Sequence, residues 1–357
     1  MFITGLGISA PPRRYTQLEC LQAMQDSKQF SSLQPRSHAI LHKVLTGKNG
    51  IAARHLALDP ISDAFELSPD ILQARFALHA PALATEAAEK ALLEAGRKPE
   101  DIDALIVNTC TGYLCPGLSS YAAEQLKLRP DALGLDLVGQ GCGAAMPNLR
   151  TGQGLIDSGK YKNVLCVSVE VCSAALYLDD DPGVLISACL FGDGAAAAVL
   201  SGEPGSTGPR VEWKTTASLL APEDRELLRF EHRNGMLRNI LSPQVPMLAA
   251  RHAKTVFENV LREAKVEASQ INGWILHAGG REVLVALQKS FGLSKEDVQS
   301  SASVLQEYGN ISSPFVLFAL KEALSGNVPK GLWWMTSFGA GFSCHGALLE
   351  VTDGTSH

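Results

Sequence analysis

The sequence predicts an α/β protein assembled from two similar halves with mixed sheets, and three observations lead there. Helical and strand patterns alternate along most of the chain. A gapless internal repeat, at a constant offset of 169 residues, aligns 87–108 with 256–277. Apolar residues make up 46% of the 357 and charged residues 19%, spread evenly, which supplies a large core and excludes disorder or a coiled coil.

Taken in order, the opening MFITGLGISAPPRRY reads as a strand and a turn. It lacks the basic segment and long apolar run of a secretory signal. Residues 18–24 and 36–45 have helical patterns, and Lys48-Asn49-Gly50 marks a turn. Just past Pro81 the pattern clears: 83–95 is helical, Gly96 stops it, and 103–108 (DALIVN) is a strand. The repeat reproduces this unit. Glu89/Glu258, Leu92/Leu261, Glu94/Glu263, Ala95/Ala264, Ile102/Ile271 and Ile106/Ile275 are identical pairs. The first unit continues through a strand at 135–138, a glycine-rich elbow, a helix and strands at 163–169 and 195–200. The second continues through Gly309-Asn310, a helix at 315–324 and strands at 332–336 and 346–351. The halves divide as 1–205 and 206–357, and catalytic groups are expected where they meet.

The net charge of −6 argues against non-specific binding to nucleic acid. No apolar run reaches 18 residues, so no membrane span is expected and the default location is cytoplasmic. Eight cysteines include no CxxC pair, which fits neither a zinc site nor a disulfide framework. The question they leave is which one is a nucleophile.

Cys142 is the candidate. It lies in GQGCGAA (139–145), between a strand and a helix. The glycines allow a sharp elbow, and a cysteine at a helix N-terminus is expected to lose its proton more easily. The competing readings are a buried structural cysteine and a dinucleotide-binding loop. The second fails the G-x-G-x-x-G spacing. A thiolate wants a base and a third polar group. His277 ends the repeated strand at HAGG (277–280), where a satisfied core histidine is the alternative. Asn310 lies in YGNISSP (308–314), where helix capping is the alternative. Jointly the three sit in loops of the two halves, and this makes a Cys-His-Asn site the stronger reading.

These segments resemble the type III polyketide synthases, the chalcone and stilbene synthase family. GQGCGAA is similar to that family's nucleophile elbow, HAGG to its histidine loop and YGNISSP to its asparagine loop. LFGDG (190–194) and SFGAG (337–341) are similar to two further family segments. Thr109-Cys-Thr-Gly-Tyr-Leu-Cys-Pro-Gly117 looks like the bacterial form of a cavity loop. The resemblance covers nearly the whole chain. It implies a thiolase-like fold of duplicated αβαβα halves with mixed five-stranded sheets, working as a homodimer. It implies that Cys142 takes an acyl group from acyl-CoA, that His277 holds the thiolate as an ion pair, and that His277 and Asn310 bind the malonyl-CoA thioester while CO2 leaves. Coenzyme A thioesters are then substrates, and no cofactor or metal is expected.

The resemblance further implies a substrate cavity lined by Phe191, Cys110, Thr111, Cys115, Cys172, Ala175, Ser312, Phe338 and Gly339. Phe191 falls on the family's gatekeeper phenylalanine, with a core aromatic as the alternative. A second family phenylalanine should precede Val245-Pro246, but Asn239 aligns there and no phenylalanine occurs between Phe230 and Phe257. In SFGAG, Ser337 and Ala340 replace glycine and proline. Lys48 matches a family position for the coenzyme A phosphates. Lys43 and Arg54 are its neighbours, and ordinary surface cations are the alternative for all three. Two other functions share part of this signature: a ketoacyl-carrier-protein synthase of the initiating type, and an inactive homologue acting as a scaffold.

Overall fold

The computed structural model describes residues 1–205 and 208–354, so the expected division at 205/206 borders residues outside those described. Nine strands form the main sheet. In chain order they are β1 (Phe2–Ser9), β2 (Ala104–Thr109), β3 (Leu133–Val138), β4 (Asn163–Glu170), β5 (Gly194–Ser201), β6 (Arg210–Leu220), β7 (Ile271–Leu276), β8 (Gly331–Gly339) and β9 (Ser343–Thr352). Their spatial order is β7-β8-β9-β6-β1-β5-β4-β2-β3. The two half-sheets meet at β1 and β6, where Phe2 pairs with Glu212 and Ile3 with Val211. Five strands come from the first half, as expected, and four from the second. The place equivalent to β3, 169 residues on, lies inside the helix Gln299–Tyr308.

The repeat is visible in backbone detail. The helix Pro69–Ala95 ends at Gly96 in the left-handed region (φ 61°), and the helix Val245–Ala264 ends at Lys265 (φ 57°), again 169 residues later. Short 3-10 turns follow at Pro99–Asp101 and Ala268–Gln270, then β2 and β7. One expected boundary moves. The first helix begins at Pro69, capped by Ser68, and not near residue 83. Pro81 had marked a break, since proline removes a helical hydrogen bond. It is instead accommodated inside the helix, buried with Ala80 and Ala84 against the sheet.

The helices Ala145–Asp157 and Phe315–Ser325 each contact strands of both half-sheets and form the middle layer. The second is apolar on nearly every side and almost wholly buried, as a central helix must be. Both start at loops singled out above. Gly141 and Asn310 are themselves 169 residues apart, so elbow and asparagine loop occupy equivalent places.

Candidate active site

Gly139 (φ 81°) and Gly141 (φ 58°) turn the chain from β3 into the elbow. A Cβ on Gly141 would meet the Ala340 nitrogen at 2.8 Å. A Cβ on Gly339 would collide with the Gln140 carbonyl oxygen and meet the Gly143 nitrogen at 2.5 Å. The SFGAG loop thus packs backbone against backbone on the elbow. Gly339 permits that approach and does not line the cavity.

Cys142 is partly open to the cavity, and the Ser312 hydroxyl donates to its Sγ at 3.2 Å. Burial pushes the thiol up to about 12, against the Ser312 hydrogen bond, which pulls it down. Burial thus works against the lowering expected at the helix N-terminus. His277 leaves β7 with its ring edge-on to Phe315 and Phe338, each centroid 5.1 Å away. Burial lowers it to about 3, and its Nδ1 is buried without a partner. An imidazolium at His277 would bury an N–H with no acceptor, so burial opposes the charged form of both groups.

Asn310 is held from three sides. Its amide N–H donates to the Leu190 carbonyl at 2.8 Å, its Oδ1 accepts from the Ser312 amide at 2.9 Å, and its Nδ2 donates to the Gly279 carbonyl at 3.1 Å. The Ser312 amide can only donate, so it fixes which end of the Asn310 side chain is oxygen. One Nδ2 hydrogen remains for a ligand. Asn310 caps no helix through its side chain, since Ser312 lies in a left-handed turn (φ 57°) before Phe315. Such strain in a non-glycine residue is held only where surrounding contacts over-determine it.

Two cavities meet at Cys142. The outer one, of about 1590 Å3, is lined by Cys142, His277, Asn310, Phe191 and Phe338, and by Lys43 and Lys48. The inner one, of about 90 Å3, is a slot lined by Cys110, Thr111, Cys172, Ala175, Phe191 and Ser312, and runs on to Met24, Ile61 and Phe65. Besides Gly339, two expected residues are placed otherwise. Cys115 is exposed and lines neither cavity. Arg54 is buried, with its Nη1 donating to the Ala188 and Phe191 carbonyls at 2.7 and 3.0 Å. It fixes the turn that carries Phe191 and lines the inner cavity, not the outer one that holds Lys43 and Lys48. Cationic side chains that were overlooked, Arg251, Arg281 and Lys289, line the outer cavity instead. Arg281 follows HAGG directly, and that adjacency was the available signal.

Glu170 was also overlooked. It is fully buried and accepts from the Cys110 amide at 3.0 Å, the Thr111 hydroxyl at 2.9 Å, the Cys110 thiol at 3.3 Å and the Ser313 hydroxyl. Burial pushes its carboxyl up and these donors pull it down. A lone acid at the end of the apolar strand β4 was its signal. It fixes the floor of the inner cavity from behind Cys110.

Residues 11–215 match the family model described as FAE1/Type III polyketide synthase-like protein. Residues 214–350 match that of chalcone and stilbene synthases, C-terminal domain. The chain belongs to the type III polyketide synthase family. It is 30% identical to a 3,5-dihydroxyphenylacetyl-CoA synthase of Streptomyces toyocaensis, over 98% of this chain and 89% of that protein. It is 30% identical to a 1,3,6,8-tetrahydroxynaphthalene synthase of Streptomyces peucetius subsp. caesius, over 98% and 92%. The crystal structure of PKS-I from the brown alga Ectocarpus siliculosus superposes with a TM-score of 0.87 at 26% identity, covering 98% of both chains. That of tetrahydroxynaphthalene synthase from Streptomyces coelicolor gives 0.87 at 24% over the full length of both. This polyketide synthase therefore has the thiolase-like fold of its family and is an acyltransferase that performs decarboxylative Claisen condensations on coenzyme A thioesters. Among the described residues no helix is long and apolar enough to cross a membrane, and no cluster of His, Cys, Asp or Glu is arranged to hold a metal ion.

Proposed function

We propose that Cys142 carries the growing chain while His277 and Asn310 decarboxylate malonyl-CoA in front of it. Cys142 attacks the thioester of a starter acyl-CoA. Its proton passes to the neutral His277 and on to the departing coenzyme A thiolate, so that the imidazolium exists only during transfer. Malonyl-CoA then enters the outer cavity. Its thioester oxygen accepts from His277 and from the free Nδ2 hydrogen of Asn310, which supports loss of CO2 by stabilising the enolate. The enolate carbon attacks the acyl carbon on Cys142, and the sulfur leaves as the carbon–carbon bond forms. Repetition and cyclisation give a pyrone, resorcinol or related aromatic product.

The observation that carries this reading is the convergence of Cys142, His277 and Asn310 on one cavity, with the amide of Asn310 oriented by the Ser312 amide. Lys43, Lys48, Arg251, Arg281 and Lys289 form a cationic rim for the phosphates of coenzyme A, and Arg281 Nη1 also donates to the Lys48 carbonyl at 3.1 Å. The inner slot favours an extended aliphatic starter over a broad ring, since it is narrow and apolar and continues past Ala175. No cofactor is needed. A homodimer would cover the free edge of β3, where Val138 is 56% exposed. Eight free cysteines suit a reducing compartment such as the cytoplasm. The test is to incubate the protein with malonyl-CoA and a panel of acyl-CoAs from short to long, without any carrier protein, and weigh the products. Extended and cyclised products support the reading. Product formed only with a carrier protein favours a ketoacyl-carrier-protein synthase, and no acyl labelling at all favours a scaffold.

A further inference from the structure

Four consecutive residues at the end of β8 hold the nucleophile and the histidine. The Thr336 carbonyl accepts from the His277 amide at 3.0 Å. The Ser337 hydroxyl donates to the Gly143 carbonyl at 3.1 Å. The Phe338 ring stands edge-on to the His277 imidazole. Gly339 lies against the amides of Gly143 and Cys142, which a Cβ there would meet at 2.5 and 3.1 Å. Of these four contacts only that of Ser337 is a side-chain hydrogen bond, and it lands one residue past the nucleophile.

The elbow needs that donor because of its own sequence. In an α-helix a carbonyl accepts from the amide four residues on. For Gly143 that residue is Pro147, which has no N–H. The ladder of the helix Ala145–Asp157 accordingly starts one residue later, with the Asn148 amide on the Ala144 carbonyl at 3.0 Å. Gly143 is buried and Ser337 fully so, which leaves water no part in satisfying the carbonyl. Pro147 removes a donor and Ser337 supplies one. The glycine that Ser337 replaces could not. Ser337 lines neither cavity, so it acts on the site only through the elbow.

We propose that Ser337 is a positioning residue for the nucleophile: by bonding the carbonyl that Pro147 leaves open, it holds the elbow against β8 and aims Cys142 Sγ into the cavity beside the Ser312 hydroxyl. This rests on the reading of Cys142 as the acyl carrier. Without the Ser337 hydroxyl the elbow loses its one polar side-chain tie to β8, and Sγ moves off its hydrogen bond with Ser312. His277 and Asn310 keep their own anchors on the Thr336, Leu190 and Gly279 carbonyls.

The experiment compares wild type, Ser337→Ala, Pro147→Ala and the double variant, with thermal melts to confirm folding. Three rates are read: loading of a starter acyl-CoA on Cys142 by intact-protein mass, alkylation of Cys142 by iodoacetamide, and decarboxylation of malonyl-CoA. Ser337→Ala slows loading about 10–100-fold, as small misplacements of a reacting group do. It slows alkylation as well, while decarboxylation falls far less. Pro147→Ala gives the Gly143 carbonyl a helical donor. Alone it leaves all three rates near wild type, and in the double variant it recovers most of the lost loading. Loading at the wild-type rate in Ser337→Ala overturns the proposal, as does a loss that Pro147→Ala fails to recover or that decarboxylation shares equally. If Ser337→Ala does not fold, Ser337→Gly takes its place in the same comparison. A wild type that loads no acyl-CoA defeats the reading of Cys142, and the alkylation rates then still decide the role of Ser337.

Discussion

Replacing Asn310 separates decarboxylation from loading, and the structure says which replacement to use. Asn310→Ala removes the donor to the enolate. It also leaves the Ser312 amide and the Gly279 carbonyl, both inside the site, without their partner. Each unsatisfied buried group costs about 1–3 kcal/mol. The same change would loosen the strained turn at Ser312, whose hydroxyl holds the Cys142 thiol. Asn310→Asp is the cleaner perturbation. One carboxylate oxygen keeps the Ser312 amide, while the other faces the Gly279 carbonyl and can no longer donate. Losing one such donor costs about 10²–10³ in rate, or roughly 2.7–4 kcal/mol of transition-state stabilisation. A carboxylate beside a developing enolate also repels it, so this loss is a lower bound. The assay is malonyl-CoA consumption with acetyl-CoA and CO2 release, beside intact-protein mass for the starter on Cys142. Loading persists in Asn310→Asp, because nothing from the Asn310 side chain bonds to Sγ. Decarboxylation near the wild-type rate in a folded variant would refute the reasoning and leave Asn310 a purely structural residue.

Other outcomes follow from the same geometry. Because burial raises the Cys142 thiol to about 12, its alkylation by iodoacetamide keeps rising about tenfold per pH unit from neutral to about pH 10. A plateau near neutral pH would instead reveal a standing thiolate–imidazolium pair. Ser312→Ala removes the hydrogen bond that lowers this thiol, so alkylation slows at every pH in that range. Affinity for aliphatic starters grows by about 0.8 kcal/mol per CH2 that enters the slot. Ala175→Trp abolishes that growth, and a flat length series in the wild type contradicts the aliphatic reading.

The duplicated architecture was legible because helix, turn and strand recur at one offset. The elbow, histidine and asparagine were legible because each chemical residue sits beside glycines at the end of a regular element. Pro81 misled, since its local cost is absorbed by packing that sequence periodicity does not report. Arg54 looked like a rim cation by its neighbours in sequence, yet its guanidinium is turned inward to backbone carbonyls. The burial of Cys142 was not legible for a related reason. A helix N-terminus is visible in sequence, but the desolvation that opposes it depends on what closes over the site.

The central claim is that Cys142 holds the acyl chain, and peptide mapping tests it directly. Wild type and Cys142→Ala are incubated with an acyl-CoA, quenched, digested and weighed. The account predicts one acyl group on the peptide containing Cys142 in wild type, none in Cys142→Ala, and normal labelling in Cys166→Ala. An acyl group that remains in Cys142→Ala, or that maps to Cys110 in the wild type, would contradict it.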